Sequence, residues 1–138
     1  MDVGSFLDIA TNHFPDKPAL IFEGHRYTYA QLKNRVQCLM KGLLQLGVQK
    51  GDRVAVFMWN SPEMLEVYLA AIRLGALFSR LNYRLTEPEL CFLLADAEPR
   101  VVVTDGLCEK LVGQAGYSMG IPPRLFSSAA ETADCFKG

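Results

Sequence analysis

Val54-Ala55-Val56-Phe57-Met58-Trp59, followed at once by Asn60-Ser61-Pro62-Glu63, is the stretch on which the fold turns. The six apolar residues lack the apolar–polar alternation of a half-exposed strand. Such a run predicts a strand covered on both faces, as in a parallel sheet. The next four residues open a helix. Ser61 caps it, Pro62 takes the first helical position, and Glu63 suits the positive end of the dipole.

Downstream, that helix is apolar nearly all round except for a narrow strip of Glu63, Glu66 and Arg73, so it is expected to be well buried. Gly75 ends it, and Ala76 to Leu81 predicts a second strand. Thr86-Glu87-Pro88-Glu89 repeats the capping logic and starts a helix ending near Ala95-Asp96. After the break at Pro99, Val101 to Thr104 predicts a third strand. Strand, helix, strand, helix, strand with short connections argues for parallel crossovers and an α/β fold.

Upstream, Thr28-Tyr29-Ala30-Gln31 reads as a capping box. Leu32, Val36, Leu39, Leu43 and Leu46 then recur at helical spacing, with Lys33, Asn34, Gln37, Lys41 and Gln45 on the other side. Gly47 stops this amphipathic helix. Before it, a short helix over about Gly4 to His13 precedes a small hairpin. The hairpin runs Ala19 to Glu23, turns at Gly24-His25 and returns through Arg26 to Thr28. From about Gly113 to Gly138 the pattern dissolves into an irregular tail with one candidate strand, Arg124 to Phe126. The sheet therefore reads as unfinished.

Composition excludes several function classes. The 138 residues suit a single domain, and 50% hydrophobic with 21% charged residues is globular composition. A net charge of -1, from 14 basic against 15 acidic residues, leaves no electrostatic footprint for nucleic acid or an anionic membrane. Cys38, Cys91, Cys108 and Cys135 form no CxxC clip, and His13 and His25 are too scattered to complete a metal site. With no secretory signal, four reduced, packed thiols and a cytoplasmic location are expected. Met64 to Leu81, the most apolar stretch, is interrupted by Glu66, Arg73 and Arg80 and does not read as a transmembrane segment.

No complete site emerges from the residue types. There is no Gly-Lys pair for a common triphosphate loop, no GxGxxG and no GxSxG. Asp105 could bind a ribose, but a strand-end turn is the better reading. His25 reads as a solvated turn residue, and His13 as a helix-end residue favoured by the dipole. Arg80, Asn82, Tyr83 and Arg84 follow a strand's carboxyl end, where α/β ligand sites lie, although a solvated connection is favoured over a site.

Six ordered segments carry a family resemblance. They are Pro15-Asp16-Lys17-Pro18-Ala19-Leu20, Tyr27-Thr28-Tyr29-Ala30-Gln31-Leu32 and Leu46-Gly47-Val48-Gln49-Lys50-Gly51-Asp52-Arg53-Val54-Ala55, then Asn60-Ser61-Pro62-Glu63, Leu74-Gly75-Ala76 and Leu81-Asn82-Tyr83-Arg84-Leu85-Thr86. Together, over residues 11–105, they resemble the N-terminal part of the adenylate-forming (AMP-binding) superfamily: acyl-CoA synthetases, luciferases and peptide-synthetase adenylation domains. The last segment leans toward the fatty-acyl and aryl CoA ligases.

The resemblance implies that 1–138 is an N-terminal fragment of an AMP-dependent synthetase/ligase domain. Such an enzyme joins a carboxylate to ATP with Mg²⁺ and passes the acyl group from AMP to coenzyme A. The Ser/Thr/Gly-rich loop ending Pro-Lys-Gly is missing, since Lys41, Lys50 and Lys137 precede Gly without the Pro or the loop. The aromatic-Gly-x-Thr-Glu segment, the ribose-binding Asp and the C-terminal catalytic Lys are also missing. No catalytic, cofactor-binding or metal residue carries over, and the chain alone is expected to be inactive. Its expected partner is the remainder of the synthetase or a full-length homologue, the latter as a stand-alone noncatalytic protein. A small nucleotide-binding module is disfavoured, because no phosphate loop is readable. One departure lies inside the match: Arg80 stands where the family usually has Pro, which restores backbone freedom and adds a charge.

Overall fold

The computed structural model describes residues 2–105, 108–118 and 125–127. A 3₁₀ turn (Val3–Ser5) leads into α1 (Phe6–His13), followed by an antiparallel hairpin of β1 (Pro18–Phe22) and β2 (His25–Thr28). Then come α2 (Tyr29–Gln45), β3 (Arg53–Phe57), α3 (Pro62–Arg73), β4 (Leu77–Arg80), α4 (Glu87–Ala97), β5 (Val101–Thr104), α5 (Glu109–Ser118) and β6 (Leu125–Ser127). The second sheet is parallel with strand order β4-β3-β5-β6. The α/β fold and the parallel βαβαβ core are as the sequence implied.

The unalternating run is buried on both faces. Val54, Val56 and Met58 join Val101 and Val103 in one core, with Leu32, Val36, Leu39 and Leu43 of α2 and Val67, Ala70 and Ala71 of α3. Ala55, Phe57 and Val102 face the other way, into a second core with Leu90 and Leu94 of α4 and Val112 and Ala115 of α5. Period-two side-chain alternation is thus present in space, although both faces are apolar.

The local signals sit where expected. The Thr28 hydroxyl accepts from the Gln31 amide at 3.2 Å and the Thr28 amide donates to Gln31 Oε1 at 2.9 Å, so the capping box is closed. Ser61 Oγ accepts from the Met64 amide at 3.4 Å. At the next helix start, the Thr86 amide and hydroxyl both donate to Glu89 Oε2 at 2.8 Å. Gly47 and Gly75 end α2 and α3 with φ of 85° and 71°, conformations that favour glycine.

Several expectations need correction. The strand expected over Val54 to Trp59 ends at Phe57; Met58 stays buried but Trp59 turns out, 51% exposed. His25 is a strand residue paired with Phe22, because Glu23 and Gly24, both at positive φ, make the two-residue turn. The tail is not irregular from Gly113. A helix continues to Ser118, and β6 adds a fourth strand to the sheet, near the candidate at Arg124 to Phe126. Gly113 and Gly116 dilute the helical signal there without breaking the helix. Residues 119–124 and 128–138, including Cys135 and Lys137, lie outside the described set.

The polar strip of α3 is engaged by neighbouring elements. Glu66 is completely buried, and its carboxylate takes the Nε of Arg35 on α2, with Arg35 Nη2 3.3 Å from Oε2 and 3.7 Å from Glu63 Oε1. The Arg35 guanidinium also lies 5.1 Å from the Tyr27 ring centre, so one side chain joins α2, α3 and the hairpin. Burial pushes the Glu66 carboxyl up from its ordinary value, against the pull of Arg35. On α1, Asp8 meets Lys33 of α2 and Arg73 of α3, each at 2.9 Å. The hydrogen bond from Lys33 leads in holding that carboxyl low.

Removing Arg35 would leave a buried, unpaired carboxylate. Arg35→Met is expected to destabilise the chain by about 3–5 kcal/mol at neutral pH. A carboxyl raised by burial adds stability at pH below its unfolded value, and that stability is lost as pH rises through the folded value. The deficit of Arg35→Met should therefore shrink as pH falls toward 4.5, the ordinary value for this group. Chemical denaturation of both proteins at several pH values checks this; a deficit that grows on acidification contradicts it.

Candidate functional site

In open α/β sheets, ligands bind beyond the carboxyl ends of the strands, where the order of strands reverses. Here the chain passes from β3 to β4 on one side and returns to β5 on the other, so the switch point lies between β3 and β5. Trp59 and Asn60 follow β3, Asn82, Tyr83 and Arg84 follow β4, and Asp105 follows β5. Three strand ends therefore bring these residues to one edge.

Asp105 spans the switch point. Its Oδ2 accepts from the Trp59 amide at 3.1 Å, and its Oδ1 from the Cys108 amide at 2.8 Å. Hydrogen bonds to a charged acceptor contribute about 1.5–3 kcal/mol each, so this carboxylate acts first as a staple. That agrees with the strand-end reading of Asp105 and not with a ribose-binding acid. The Trp59 and Tyr83 rings stack with centres 4.0 Å apart and planes 29° from parallel. Arg84 lies 5.5 Å from the Tyr83 ring centre. Arg80 Nη2 donates to Asn60 Oδ1 at 2.5 Å, linking the end of β4 to the turn after β3. Asn82 closes its own turn: Oδ1 accepts from the Arg84 amide at 3.0 Å and its carbonyl from the Leu85 amide at 3.1 Å.

The structure thus brings Arg80, Asn82, Tyr83, Arg84 and Asp105 together, and the connection after β4 is bonded rather than merely solvated. It leaves His13 exposed at the end of α1 and His25 exposed on β2, away from this edge. Lys41 and Lys50 are exposed on α2 and in a turn. Sequence reasoning missed Trp59 and Asn60, which had been assigned to a strand and a helix start. The available signal was their place at the carboxyl end of a strand covered on both faces.

The chemistry on offer is limited. Cys38, Cys91 and Cys108 are not joined in disulfides with one another. Burial pushes the Cys108 thiol up to about 12, reinforced by a hydrogen bond and the negative charge of Asp105. A thiol so raised is no nucleophile at neutral pH. Among the described residues, no group of three His, Cys, Asp or Glu side chains converges to hold a metal ion. Asp105 is occupied by backbone amides, and the buried Thr104 hydroxyl lacks a partner. The described residues do not fit Mg²⁺ or a triphosphate, and no adenylation step can be derived through them. No helix among them is long and apolar enough to cross a membrane.

The sequence profile of the AMP-binding enzyme family matches residues 7–132. The chain belongs to that family. It is 37% identical to an acetyl-coenzyme A synthetase of Streptomyces coelicolor over 124 residues, covering 86% of this chain and 18% of that protein. It is 40% identical to an indoleacetate–CoA ligase of Aromatoleum aromaticum over 105 residues, covering 76% of this chain and 21% of the relative. In structure it superposes on the N-terminal domain of FACL13 from Mycobacterium tuberculosis with a TM-score of 0.87 at 28% identity, covering 100% of this chain and 36% of that one. The chain spans about a fifth of the length of these two curated relatives. Its likeness is to the N-terminal part of AMP-binding enzymes, and its relatives are acyl- and aryl-CoA ligases.

The Cys108 environment gives a direct check. In the folded chain at pH 8, iodoacetamide is expected to leave Cys108 unmodified, and denaturant to make it reactive. Asp105→Asn removes the negative charge and should raise the alkylation rate of Cys108. Peptide mapping reads both; native labelling at the rate of an unhindered thiol contradicts the assignment.

Proposed function

We propose that this chain serves as the N-terminal scaffold segment of an ATP-dependent acyl-CoA synthetase of the fatty- or aryl-acid class, in a cytoplasmic setting. The complete reaction converts a carboxylic acid and ATP to acyl-AMP and pyrophosphate, then passes the acyl group to coenzyme A. The family match over residues 7–132 carries this reading. In it, residues 1–138 contribute the doubly covered parallel sheet, while the groups that hold ATP, Mg²⁺ and the acid belong to the remainder of the enzyme.

The 138-residue chain is therefore expected to show no acid-dependent exchange of labelled pyrophosphate into ATP with acetate, a long-chain fatty acid or an arylacetate. Exchange above the acid-free blank overturns the assignment of catalysis to other segments.

A second reading is favoured by apolar surface left open on two elements. Phe92 on α4 is 72% exposed, and Leu77 on the edge strand β4 is 59% exposed. Surface of this kind drives association. As a stand-alone noncatalytic protein, the chain would pair through it with a full-length relative. Sedimentation should then show self-association or co-migration with such a relative, and Phe92→Glu should weaken it. A monodisperse monomer that binds no such relative counts against this reading.

A further inference from the structure

Trp59 is the only tryptophan in the sequence, and the fold places it on the surface, just past the carboxyl end of β3. An exposed aromatic ring is ordinarily free to change rotamer, yet this one is covered on one face, and two further bonds hold the chain on either side of its side chain. Asp105 fixes its backbone from the β5 side through the 3.1 Å bond to its amide. Tyr83 covers one face of the indole from the β4 side. Arg80 fixes the following residue by donating to Asn60. Tyr83 is itself held in a turn closed by Asn82. The stacked rings therefore sit on a stretch of chain that is bonded to the ends of β4 and β5.

We propose that Asp105 and Arg80 are positioning residues that hold Trp59 and Tyr83 as a fixed aromatic lip across the carboxyl ends of β3 and β4, beside the switch point between β3 and β5. Asp105 sets where the backbone leaves β3, and Arg80 sets the path of the turn from Trp59 to Ser61. The stacked rings form the surface that results. Rings fixed in advance need no ordering when another surface packs against them. Proline at position 80 has no donor to reach Asn60, so the departure from the family pattern at Arg80 supplies one of the two anchors. The inference goes beyond the proposed function, and its test does not depend on ligase activity.

The single tryptophan makes the lip measurable in the 138-residue chain. Acrylamide quenching of Trp59 fluorescence and near-ultraviolet circular dichroism would be compared among the parent, Arg80→Ala, Asp105→Ala and Tyr83→Ala. Tyr83→Ala defines the unstacked state, with quenching expected to rise roughly twofold as one face of the ring is uncovered. Arg80→Ala and Asp105→Ala, which removes both acceptors, are expected to move most of the way to that value with far-ultraviolet dichroism unchanged, and Arg80→Lys to recover part of the difference. Parent-like quenching in either folded variant overturns the proposal. If Asp105→Ala fails to fold, Arg80→Ala decides, because Arg80 is exposed and outside both cores.

Discussion

Burial of β3 on both faces dictates most of the remaining architecture. From Val54 to Met58 every residue is at most 1% exposed, so the backbone groups of this strand have no access to water along its length. Buried amides and carbonyls must be paired, and neighbouring strands on both edges are the only partners that a strand can find there. β4 and β5 fill those places, with Val54 opposite Phe78 on one side and Val101 on the other. Parallel pairing requires a crossover from one end of the sheet to the other, and α3 and α4 supply it. The two cores are then separated by the strand they share. Phe57 lies wholly within one of them, where truncation to alanine is expected to cost about 3–5 kcal/mol.

On the α2–α3 face, apolar packing is supplemented by charge. Asp8 connects α1 to both α2 and α3, and Arg35 connects α2 to α3 and to the hairpin. Apolar contact is non-directional and tolerates small slips between helices. A guanidinium engaged with a buried carboxylate does not, because a slip leaves a charge unpaired in a dry environment. Ala70 and Ala71 on α3 are fully buried and small, which allows the close helix approach in which such a pairing operates.

What could be read from the sequence divides along the same line. Caps, helix stops and the β5 strand depend on residues within a few positions of one another, and Thr28, Ser61, Gly47 and Val101 to Thr104 lie where local pattern puts them. The pairing of Glu66 was not legible, because its partner is 31 residues away on another helix and no local pattern announces it. The end of β3 was overextended because Trp59 is as apolar as its neighbours; its exposure follows from the bond to Asp105, 46 positions later. α5 was missed because its glycines weaken helix propensity, while Val112 and Ala115 gain enough from burial against the sheet to offset that. The polar cluster after β4 was recognised by its position, but not its bonding, which needs Asn60 and Trp59 from the adjacent strand end.

The carboxyl edge shows why position and chemistry have to be argued separately. A switch point parts the connections on either side of β3 and β5 and exposes backbone amides there. In this chain, a carboxylate from β5 takes up one amide from the β3 end and one at Cys108, ahead of α5. Burial raises the neighbouring thiol and the same carboxylate reinforces it, so the residue that closes the edge also helps suppress the nucleophile nearest to it. Aromatic stacking and the Arg80–Asn60 bond then extend the closure across β4. Each of these contacts answers a need of the fold at a place where α/β proteins commonly bind ligands. The edge is accordingly held by its own side chains, with the Trp59 and Cys108 amides already bonded and the nearest thiol raised.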